Sequence, residues 1–409
     1  RVRRLMDTPA FRRLAQVSQL GLVSLVYPAA NHSRQEHSLG VYQAALEFLG
    51  RLAAEERFAA AITPADGERF LVAALLHDIG HWPFGHPIED LRLPNLPDHE
   101  LLAQQLLSEG EIATALREDW QIDPADVATL IAGRSTDRAS RILQSLLSGP
   151  IDVDKVDYLM RDSLHAGVPY GRNFDRGRLV SSLCLNETGD GLAISEKGKT
   201  AAEMMVFARY VMFSEAYWHP AVRPATAMLQ RAVFLLHASV DFSRLQRLTE
   251  QPMIVDLQAA AGNGPARDLL DVLFGPTRKL YKRLSQYSYI EEPQLFARLA
   301  RQPFERLVRC AELLSKLLGR ELGTIVAAHE VLVDAPPVEL EVEFDVDVHY
   351  PKENRYRRLG DVSPVVRTLA QEQFDNFVKR VRVFVHPRLA AKLRGMPNLS
   401  QLLAEAADG

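Results

Sequence analysis

The sequence predicts a mainly α-helical protein with a small α+β region at its C-terminal end. Apolar residues recur with helical periodicity up to about Leu318, and valine-rich alternation follows. The chain has 409 residues and 47% hydrophobic content, enough to build one large core or a core with a smaller domain. We therefore predict a helical core over residues 1–319 and a small α+β region over residues 320–409.

Composition argues against several classes of protein. No apolar run approaches the roughly 20 residues that a membrane-spanning helix needs. The segment Arg1–Arg4 leads into no apolar signal sequence, and the two cysteines, Cys184 and Cys310, cannot make a disulfide framework. We therefore expect a cytoplasmic protein with no membrane partner. A formal net charge of −4 argues against coating nucleic acid through bulk charge, and nothing in the sequence supports single-stranded nucleic acid as a partner.

The clearest helix is predicted to begin at Ser33, where Ser-Arg-Gln-Glu indicates a capping box with Glu36. His37, Val41 and Phe48 recur on one face of this helix at helical spacing. An isolated histidine on such a face is usually a core residue bound to a backbone carbonyl. His37 is not isolated, because Arg34 precedes it by one turn.

A second helix is predicted over Gly67 to Asp78, and it is apolar nearly all round, which indicates burial. Gly80 and Pro83 end it, so His77 and Asp78 lie at its C-terminal end. Successive side chains diverge by about 100° on a helix, so this pair can share one ion only near such an end.

The remaining predicted elements follow in chain order. A third helix runs from about Asp152 to His165, and a long helical segment covers Thr200 to Trp218, where Pro220 ends it. Alternating strands are predicted at Leu22–Tyr27, at Leu192–Ser195, within Ala327–Val348 and at Arg380–His386.

Three histidines and a carboxylate lie between His77 and His86, and imidazole with carboxylate suits a divalent ion that acts on phosphate. His77 and Asp78 leave most of a coordination sphere open, so further donors must come from elsewhere. His37 and the third helix, with Asp154, can supply them.

The third helix carries Asp154, Tyr158 and Asp162 at intervals of four residues, with Lys155 alongside. A solvated face with local ion pairs is the ordinary explanation of mixed charge on a helix. The density of charged residues between apolar ones favours a functional face instead.

The order of His37, His77-Asp78 and Asp154 resembles the H…HD…D signature of the HD-domain phosphohydrolases. Four blocks resemble more narrowly the deoxynucleoside triphosphate (dNTP) triphosphohydrolase branch: Arg34–Gly40, His77–His86, Asp152–Asp162 and Arg209–His219. The C-terminal segments Tyr350–Glu353 and Phe384–Pro387 resemble bacterial members of this branch. The resemblance implies an HD-domain helical core whose metal ligands are His37, His77, Asp78 and Asp154. It also implies hydrolysis of dNTPs to deoxynucleoside and inorganic triphosphate, by attack of water on the α-phosphorus.

Two imidazoles and two carboxylates form a mixed nitrogen and oxygen site that suits Mg²⁺, Mn²⁺, Fe²⁺ or a similar ion better than structural zinc. Attack on the α-phosphorus expels the 5′-oxygen as a poor leaving group, so a general acid is needed. The resemblance suggests His99 for this role, with His86 and Glu89 beside it. Because His86 and Glu89 are three residues apart, the carboxylate can orient the imidazole and raise its pKa.

The resemblance also implies a set of substrate-binding residues. Cationic and hydrogen-bonding groups for the phosphates are Arg34, His81, Lys155 and Arg209. The sugar is contacted by Tyr158 and Tyr217, and its 3′-hydroxyl is recognised by Gln19 and Asp162. A tyrosine packed under C2′ would exclude ribose by steric overlap.

Assembly and activation follow from the resemblance alone: a homo-oligomer, with a tetramer favoured, and an activating nucleotide between subunits. Ala15 stands where vertebrate members carry an arginine that contacts the activating guanine nucleotide, and Tyr210–Ala216 replaces a basic run with a largely apolar one. The basic cluster of Arg1–Arg4 with Arg12 and Arg13 is either a shared anion site or a solvated surface, and the second reading is favoured.

Two other functions are compatible with the metal ligands. An HD-type phosphomonoesterase or phosphodiesterase would use the same ligands but would not need Lys155, Arg209 and Tyr217. A nucleotide-sensing regulator would bind dNTPs without turnover. Identification of the phosphorus product separates all three: triphosphate, orthophosphate or pyrophosphate, or none.

Overall fold

The structure is a computed structural model that describes residues 1–134, 136–337, 345–369 and 378–409. Helices dominate it, which confirms the predicted mainly α class. The chain forms two compact units. The first contains Arg1–Pro83, Asp98–Met212 and the described residues of Val342–Glu372, and the second contains Phe84–Pro97 and the described residues of Phe213–Glu341 and Gln373–Gly409. The predicted boundary at residue 320 stays a prediction.

The α-helices of the described residues, in chain order, are α1 (Val2–Met6), α2 (Pro9–Arg13), α3 (Arg34–Leu52), α4 (Glu56–Ala61), α5 (Pro64–Leu76), α6 (Gly85–Glu89), α7 (His99–Ser108), α8 (Gly110–Ala115), α9 (Pro124–Ile131), α10 (Arg138–Ser148), α11 (Val153–Ala166), α12 (Arg176–Ser181), α13 (Lys199–Met212), α14 (Arg223–Leu236), α15 (Phe242–Leu245), α16 (Glu250–Ala261), α17 (Pro265–Phe274), α18 (Pro293–Leu299), α19 (Phe304–Leu322), α20 (Leu359–Val362), α21 (Pro364–Arg367), α22 (Pro387–Leu393) and α23 (Leu399–Asp408). None of the described helices combines the length and the apolar character that crossing a membrane would require.

Two small sheets accompany the helices. The strands are β1 (Leu183–Leu185), β2 (Leu192–Ser195), β3 (Lys282–Tyr287), β4 (Val331–Asp334), β5 (Asp347–Tyr350), β6 (Arg355–Arg358) and β7 (Val381–Val385). The first unit holds the order β1-β2-β5-β6, in which only β2 and β5 run parallel, with Ala193 opposite Asp347. The second unit holds the antiparallel order β3-β7-β4, with Val333 opposite Val383.

The core of the first unit forms where α3 packs against α5 and α11. Val41, Phe48 and Leu52 recur on one face of α3 and are fully buried. Phe70 and Leu75 of α5 are fully buried as well. This packing brings the N-terminal part of α3, the C-terminal end of α5 and the first turns of α11 together, and these carry the predicted ligands.

In the second unit α19 covers one face of the β3-β7-β4 sheet. Its apolar stripe includes Leu307, Leu314 and Leu318, which pack in one cluster with Val331 and Val383 of the sheet. α23 packs on the same helix. The strand pattern of this region was visible in the sequence, because alternation at Arg380–His386 correctly predicted β7.

The strand prediction at Leu192–Ser195 is confirmed as β2, whereas the one at Leu22–Tyr27 is wrong. That segment contains a 3₁₀-helix, Gly21–Leu25, in which the consecutive residues Leu22 and Val23 are both buried. Alternation alone could not distinguish this short turn from a strand. The prediction within Ala327–Val348 is met by β4 and the start of β5, and residues 338–344 lie outside the described residues.

The N-terminal arginines are paired rather than gathered around a shared anion. Arg1 binds Glu68 and lies over the ring of Trp120, and Arg4 binds Glu118 and Asp119. These carboxylates already neutralise the two cations, so the structure favours a surface role for this part of the basic cluster.

Candidate metal centre

Helix α3 carries Arg34 and His37 into the interior of the first unit. Its N-cap is Ser33, whose hydroxyl accepts a hydrogen bond from the Glu36 backbone N–H at 3.2 Å. The predicted capping box is only half formed, because the Glu36 carboxylate binds two side chains of α11 instead of its own N-cap. Arg34 and His37 are one turn apart and buried, so they share one face of the helix.

Helix α5 ends where the metal ligands begin. A capping box at Thr63 starts this helix, and Leu76 is its last residue, so His77 and Asp78 stand at its end as predicted. The Nδ1 atom of His77 lies 2.9 Å from the carbonyl oxygen of Ala74 and donates to it. This bond leaves Nε2 of His77 as the nitrogen that can hold an ion.

Helix α11 supplies the last predicted ligand. Its N-cap is the buried Asp152, which accepts hydrogen bonds from the backbone N–H and the ammonium group of Lys155, both at 2.6 Å. Asp154 follows in the first turn and Asp157 one turn later. The cap therefore fixes where the helix begins and which residues face α3.

Three of the predicted ligands, His37, His77 and Asp78, lie close enough together to hold one metal ion, and Asp154 lies against both histidines. The Nε2 atoms of His37 and His77 lie 3.3 Å apart, and Oδ1 of Asp154 is 2.9 Å from the first and 3.7 Å from the second. Oδ1 of Asp78 lies 3.4 Å from Nε2 of His77. Neighbouring donors around an octahedral ion with bonds of about 2.1 Å lie about 3 Å apart. The spacing therefore fits a divalent cation.

The far atoms of these ligands are held by other residues. Nδ1 of His37 lies 2.9 Å from a carboxylate oxygen of Asp157, and Arg161 donates two hydrogen bonds of 2.8 Å to that carboxylate. Arg34 donates to Oδ2 of Asp78 at 2.8 Å. Metal-binding imidazoles characteristically donate their second N–H in this way, which fixes the tautomer and the ring orientation.

Electrostatics at the centre favour positive charge. Burial alone would lower the pKa of His37, but hydrogen bonds with Asp154 and Asp157 and the charge of Asp78 raise it to about 10. Burial would raise the pKa of Asp78, yet Arg34 and the three neighbouring imidazoles hold it well below its ordinary value. Ionised carboxylates thus surround a point that attracts a cation, as a metal site requires.

The loop after Asp78 brings two further histidines together. The rings of His81 and His99 stack with centroids 4.2 Å apart, and Nε2 of His81 lies 3.3 Å from Oδ1 of Asp78. His99 is the first residue of α7. Gly80 allows the start of α7 to pack close to the loop, because a side chain at Gly80 would overlap the carbonyl oxygen of His99. Arg13 donates to the carbonyls of the same loop, which holds it in place.

The residues predicted to bind the phosphates all belong to the first unit: Arg34, His81, Lys155 and Arg209. Lys155 is bound to Asp152, which neutralises part of its charge. Arg209 is buried on α13, and its charge acts on Tyr158. Burial raises the pKa of Tyr158 to about 12, against the opposing charges of Arg209 and Lys155, so its hydroxyl stays protonated.

The two residues predicted to recognise the 3′-hydroxyl meet at His32. Nε2 of His32 lies 2.9 Å from Oδ1 of Asp162, and the backbone N–H of Gln19 donates to the His32 carbonyl at 2.9 Å. Asp162 is buried, and no donor among the described residues binds the buried side-chain oxygen of Gln19. The ring of His32 also stacks on His165 at 4.3 Å.

Three predicted site residues belong to the second unit. His86 and Glu89 lie on α6, and Tyr217 ends a π-helical turn, Phe213–Tyr217, where its ring meets Phe213 edge to face. Their predicted roles, like those of the other site residues, stay predictions.

Sequence reasoning missed Asp157 and His32. The signal for Asp157 was present, because it lies one turn after Asp154 and therefore on the same face of α11. His32 precedes α3 and carries no periodic signal, so only its contact with Asp162 reveals it.

Comparison with known proteins gives the family. A model of the HD domain matches residues 34–161, and a model of the HD associated region matches residues 174–396, more than half of the chain. An uncharacterized protein of Methanocaldococcus jannaschii is 30% identical over 373 residues, covering 89% of this chain and 72% of that protein. A hypothetical protein from Aquifex aeolicus of known crystal structure has a TM-score of 0.71 at 28% identity, with 96% and 94% of the two chains covered.

A relative of named activity is the deoxynucleoside triphosphate triphosphohydrolase SAMHD1 of Gallus gallus. It is 30% identical over 247 residues, which cover 53% of this chain and 40% of that protein. This chain therefore corresponds to less than half of that relative's length.

The fold and the His/Asp centre define a metal-dependent phosphohydrolase of the HD class. The chain belongs to the HD-domain family, as the resemblance predicted, and it also carries the HD associated region.

Proposed function

We propose that the protein hydrolyses dNTPs to deoxynucleoside and inorganic triphosphate. The observation that carries the proposal is the grouping of His37, His77 and Asp78, with Asp154 against both histidines. The same unit also holds Lys155 and Arg209. Relatives named as dNTP triphosphohydrolases support the same reaction.

Neighbouring side chains orient two of the metal ligands. A divalent ion in this centre supplies Lewis-acid activation of a phosphoryl group and of water. Asp157 holds the His37 ring and Arg34 holds the Asp78 carboxylate, so the donors need little rearrangement to bind the ion. Manganese, magnesium or ferrous iron fits the mixed donor set.

The substrate's negative charge requires cations beyond the metal. In the proposal Arg34, Lys155, Arg209 and His81 contact the triphosphate, where arginine can donate two parallel hydrogen bonds and lysine acts as a point charge. The ammonium group of Lys155 donates to the buried Asp152, which restricts its position. Burial alone would lower the pKa of Lys155, but the charge of Asp152 raises it, so the group stays charged.

Departure of the 5′-oxygen needs a proton. The imidazole of His99 is the proposed donor, with His86 and Glu89 as the second candidate pair. Stacking on His81 and the Nδ1 contact with Asp98 at 3.2 Å both restrict the His99 ring, which supports its candidacy. Gln19 and Asp162 are proposed to bind the 3′-hydroxyl, and Tyr158 and Tyr217 to pack on the sugar.

Product identification tests the proposal. Each of the four dNTPs, alone and in mixtures, is incubated with the protein and Mg²⁺ or Mn²⁺, and phosphorus products are resolved by ³¹P NMR. Inorganic triphosphate is expected, and Asp154→Asn should abolish it. Orthophosphate or pyrophosphate would favour the phosphomonoesterase or phosphodiesterase alternative, and binding without turnover would favour a regulator.

Activity that arises only in mixtures would support the proposed activating nucleotide. The proposed homo-oligomer is tested in the same samples by light scattering, with and without nucleotide.

A further inference from the structure

His32 is a buried histidine of the first unit that has no part in the metal centre. It lies just before α3, and its side chain is fully shielded from solvent. Its Nε2 atom lies 2.9 Å from Oδ1 of Asp162, which is 130 residues away in the chain, on α11. The contact therefore joins the segment before α3 to the carboxylate proposed to bind the 3′-hydroxyl.

The backbone of His32 is fixed by a short antiparallel pairing. The backbone N–H of Gln19 donates to the His32 carbonyl oxygen at 2.9 Å, and Ser18 lies opposite Ser33 in an isolated antiparallel bridge. A shift of His32 would break these bonds to the segment that carries Gln19. That segment supplies the second residue proposed to bind the 3′-hydroxyl, so His32 stands between the two.

A second imidazole restricts the plane of the His32 ring. The rings of His32 and His165 are stacked, with centroids 4.3 Å apart and 20° between their planes. His165 is held in turn, because its Nε2 atom lies 2.9 Å from Oε1 of Glu36. The same oxygen accepts a hydrogen bond from Arg161 at 2.8 Å. Packing and hydrogen bonds of this kind are what hold a functional side chain in one orientation.

The hydrogen bond between His32 and Asp162 has one consistent direction. A carboxylate only accepts hydrogen bonds, so Nε2 of His32 carries the hydrogen and donates it to Asp162. The other ring nitrogen, Nδ1, is buried and has no hydrogen-bond partner among the described residues. A hydrogen on Nδ1 would therefore lack an acceptor, which is costly in the interior. The ring with its hydrogen on Nε2 fits these contacts best.

A carboxylate held in this way can still bind a ligand. The two oxygens of a carboxylate offer about four acceptor sites, and the Nε2–H of His32 occupies one of them. Asp162 follows the proposed metal ligand Asp154 by about two turns of α11, or about 12 Å along the helix axis. This spacing is compatible with a substrate whose phosphate end lies at the metal and whose sugar lies at Asp162.

We propose that His32 is a positioning residue for sugar recognition: its Nε2–H holds the Asp162 carboxylate in the orientation that accepts the 3′-hydroxyl of the deoxyribose. This role rests on the proposed dNTP hydrolysis. A carboxylate that is already fixed loses little freedom when it binds the hydroxyl, so it binds more strongly than a mobile one. Nucleotides with a 3′-hydroxyl are therefore preferred over those that lack it.

Paired substrates test this role. The most active dNTP and its 2′,3′-dideoxy counterpart, which lacks only the 3′-hydroxyl, are compared by kcat/KM for release of inorganic triphosphate. The parent protein should prefer the dNTP at least about tenfold, as expected for one hydrogen bond to a charged group. Asp162→Ala should remove most of this preference, and it gives the value expected when the carboxylate is missing.

His32→Phe keeps a ring to stack on His165 but removes the N–H. The preference should fall toward that of Asp162→Ala, at least about threefold below the parent, because only the dNTP loses its hydrogen bond. The kcat/KM value for the dideoxy substrate should stay within about twofold of the parent. General damage to the fold would lower both values together, so the ratio separates positioning from packing.

Two amide variants supply a second comparison that does not depend on how well His32→Phe folds. The amide nitrogen of His32→Gln can lie near the position of Nε2, so this variant should recover part of the preference. The shorter side chain of His32→Asn places its amide near Nδ1 instead, and its preference should stay low. Phe48→Leu is the matched control. Phe48 is fully buried near the other end of α3, so this variant should lose core packing but keep the parent preference.

An unchanged preference in His32→Phe, equal losses for both substrates, or equal preferences in His32→Gln and His32→Asn would each overturn the role of His32. Equal kcat/KM for the two substrates in the parent protein would also overturn it, while dNTP hydrolysis itself would stand. Absence of inorganic triphosphate with every dNTP is a different result. It would refute the proposed function, and the role of His32 would fall with it.

Discussion

Gly40 leaves the space that the carboxylate of Asp157 occupies: a side chain at Gly40 would overlap Oδ1 of Asp157 and Nη2 of Arg161. Helices α3 and α11 pack against each other, and Asp157 reaches His37 across this contact, at 2.9 Å from its Nδ1 atom. The absence of a side chain on one helix lets the other helix orient a metal ligand. This contact links the packing of the first unit to the chemistry proposed for it.

Gly40→Ala should weaken metal binding without unfolding the protein. The new methyl group pushes the Asp157 carboxylate away from His37, and loss of such an orienting partner typically costs 10- to 100-fold in metal affinity. Calorimetric titration with Mn²⁺ measures the change. Asp157→Asn should give a loss of similar size, because it weakens the same hydrogen bond.

Gly50→Ala is the matched control for this substitution. Gly50 lies on the same helix with nothing within 4 Å of the added methyl group. Alanine in a helix is favoured over glycine by about 1 kcal/mol, so this variant should be more stable and bind Mn²⁺ normally. Equal Mn²⁺ affinity in the Gly40→Ala and Gly50→Ala proteins would refute the role given to Asp157.

Removing the metal should lower the thermal stability of the protein. An ion that binds only the folded state stabilises it by about 2.7 kcal/mol at a concentration 100 times the dissociation constant. Melting temperature should therefore rise with added Mn²⁺ after chelation, and should stay flat in Asp154→Asn protein. A Mn²⁺ response that survives in Asp154→Asn would place the ion elsewhere.

His99→Ala should abolish most turnover while leaving the metal content intact. General acid catalysis contributes about 10²- to 10⁴-fold to a rate, and a loss in that range is expected in kcat. Metal content by elemental analysis and kcat for dATP are measured together, with His86→Ala in parallel. If His99→Ala keeps its rate and His86→Ala loses it, the proton comes from His86 instead.

Acidification should remove the contribution of the Glu330–Arg388 ion pair to the free energy of unfolding. Burial would raise the pKa of Glu330, but hydrogen bonds from Arg388 and the Ala327 N–H lower it below its ordinary value. Because the folded pKa is the lower one, the pair stabilises the protein above the unfolded pKa of about 4.3 and ceases to do so as the pH falls through the folded value.

The difference in urea midpoint between wild type and Arg388→Gln should therefore be present at pH 7 and shrink below about pH 4. Arg388 is about half exposed, so the gap should not exceed about 1 kcal/mol. A gap that stays constant from pH 7 to pH 3 would show that Arg388 acts through packing rather than charge.

Much of the metal centre could be predicted from the sequence because local rules position it. Ser33 caps α3, and the end of α5 precedes His77, so spacing along the chain already indicates which side chains share a face. The orienting contact of Asp157 depends on how closely two helices pack, and a glycine in a helix does not reveal its neighbour.

Other features depended on contacts that are distant in sequence. The parallel pairing of β2 with β5 joins Ala193 to Asp347, and no local pattern specifies that register. The 3₁₀-helix at Gly21–Leu25 had the alternation of a strand.

Hydrolysis of a dNTP in ¹⁸O-labelled water tests the central claim most directly. Attack of water on the α-phosphorus forms a new P–O bond there and breaks the bond to the 5′-oxygen, which leaves with a proton as the deoxynucleoside hydroxyl. Mass spectrometry should therefore find one ¹⁸O atom in inorganic triphosphate and none in the deoxynucleoside. Label in the deoxynucleoside, or in orthophosphate or pyrophosphate as the main product, would contradict the account.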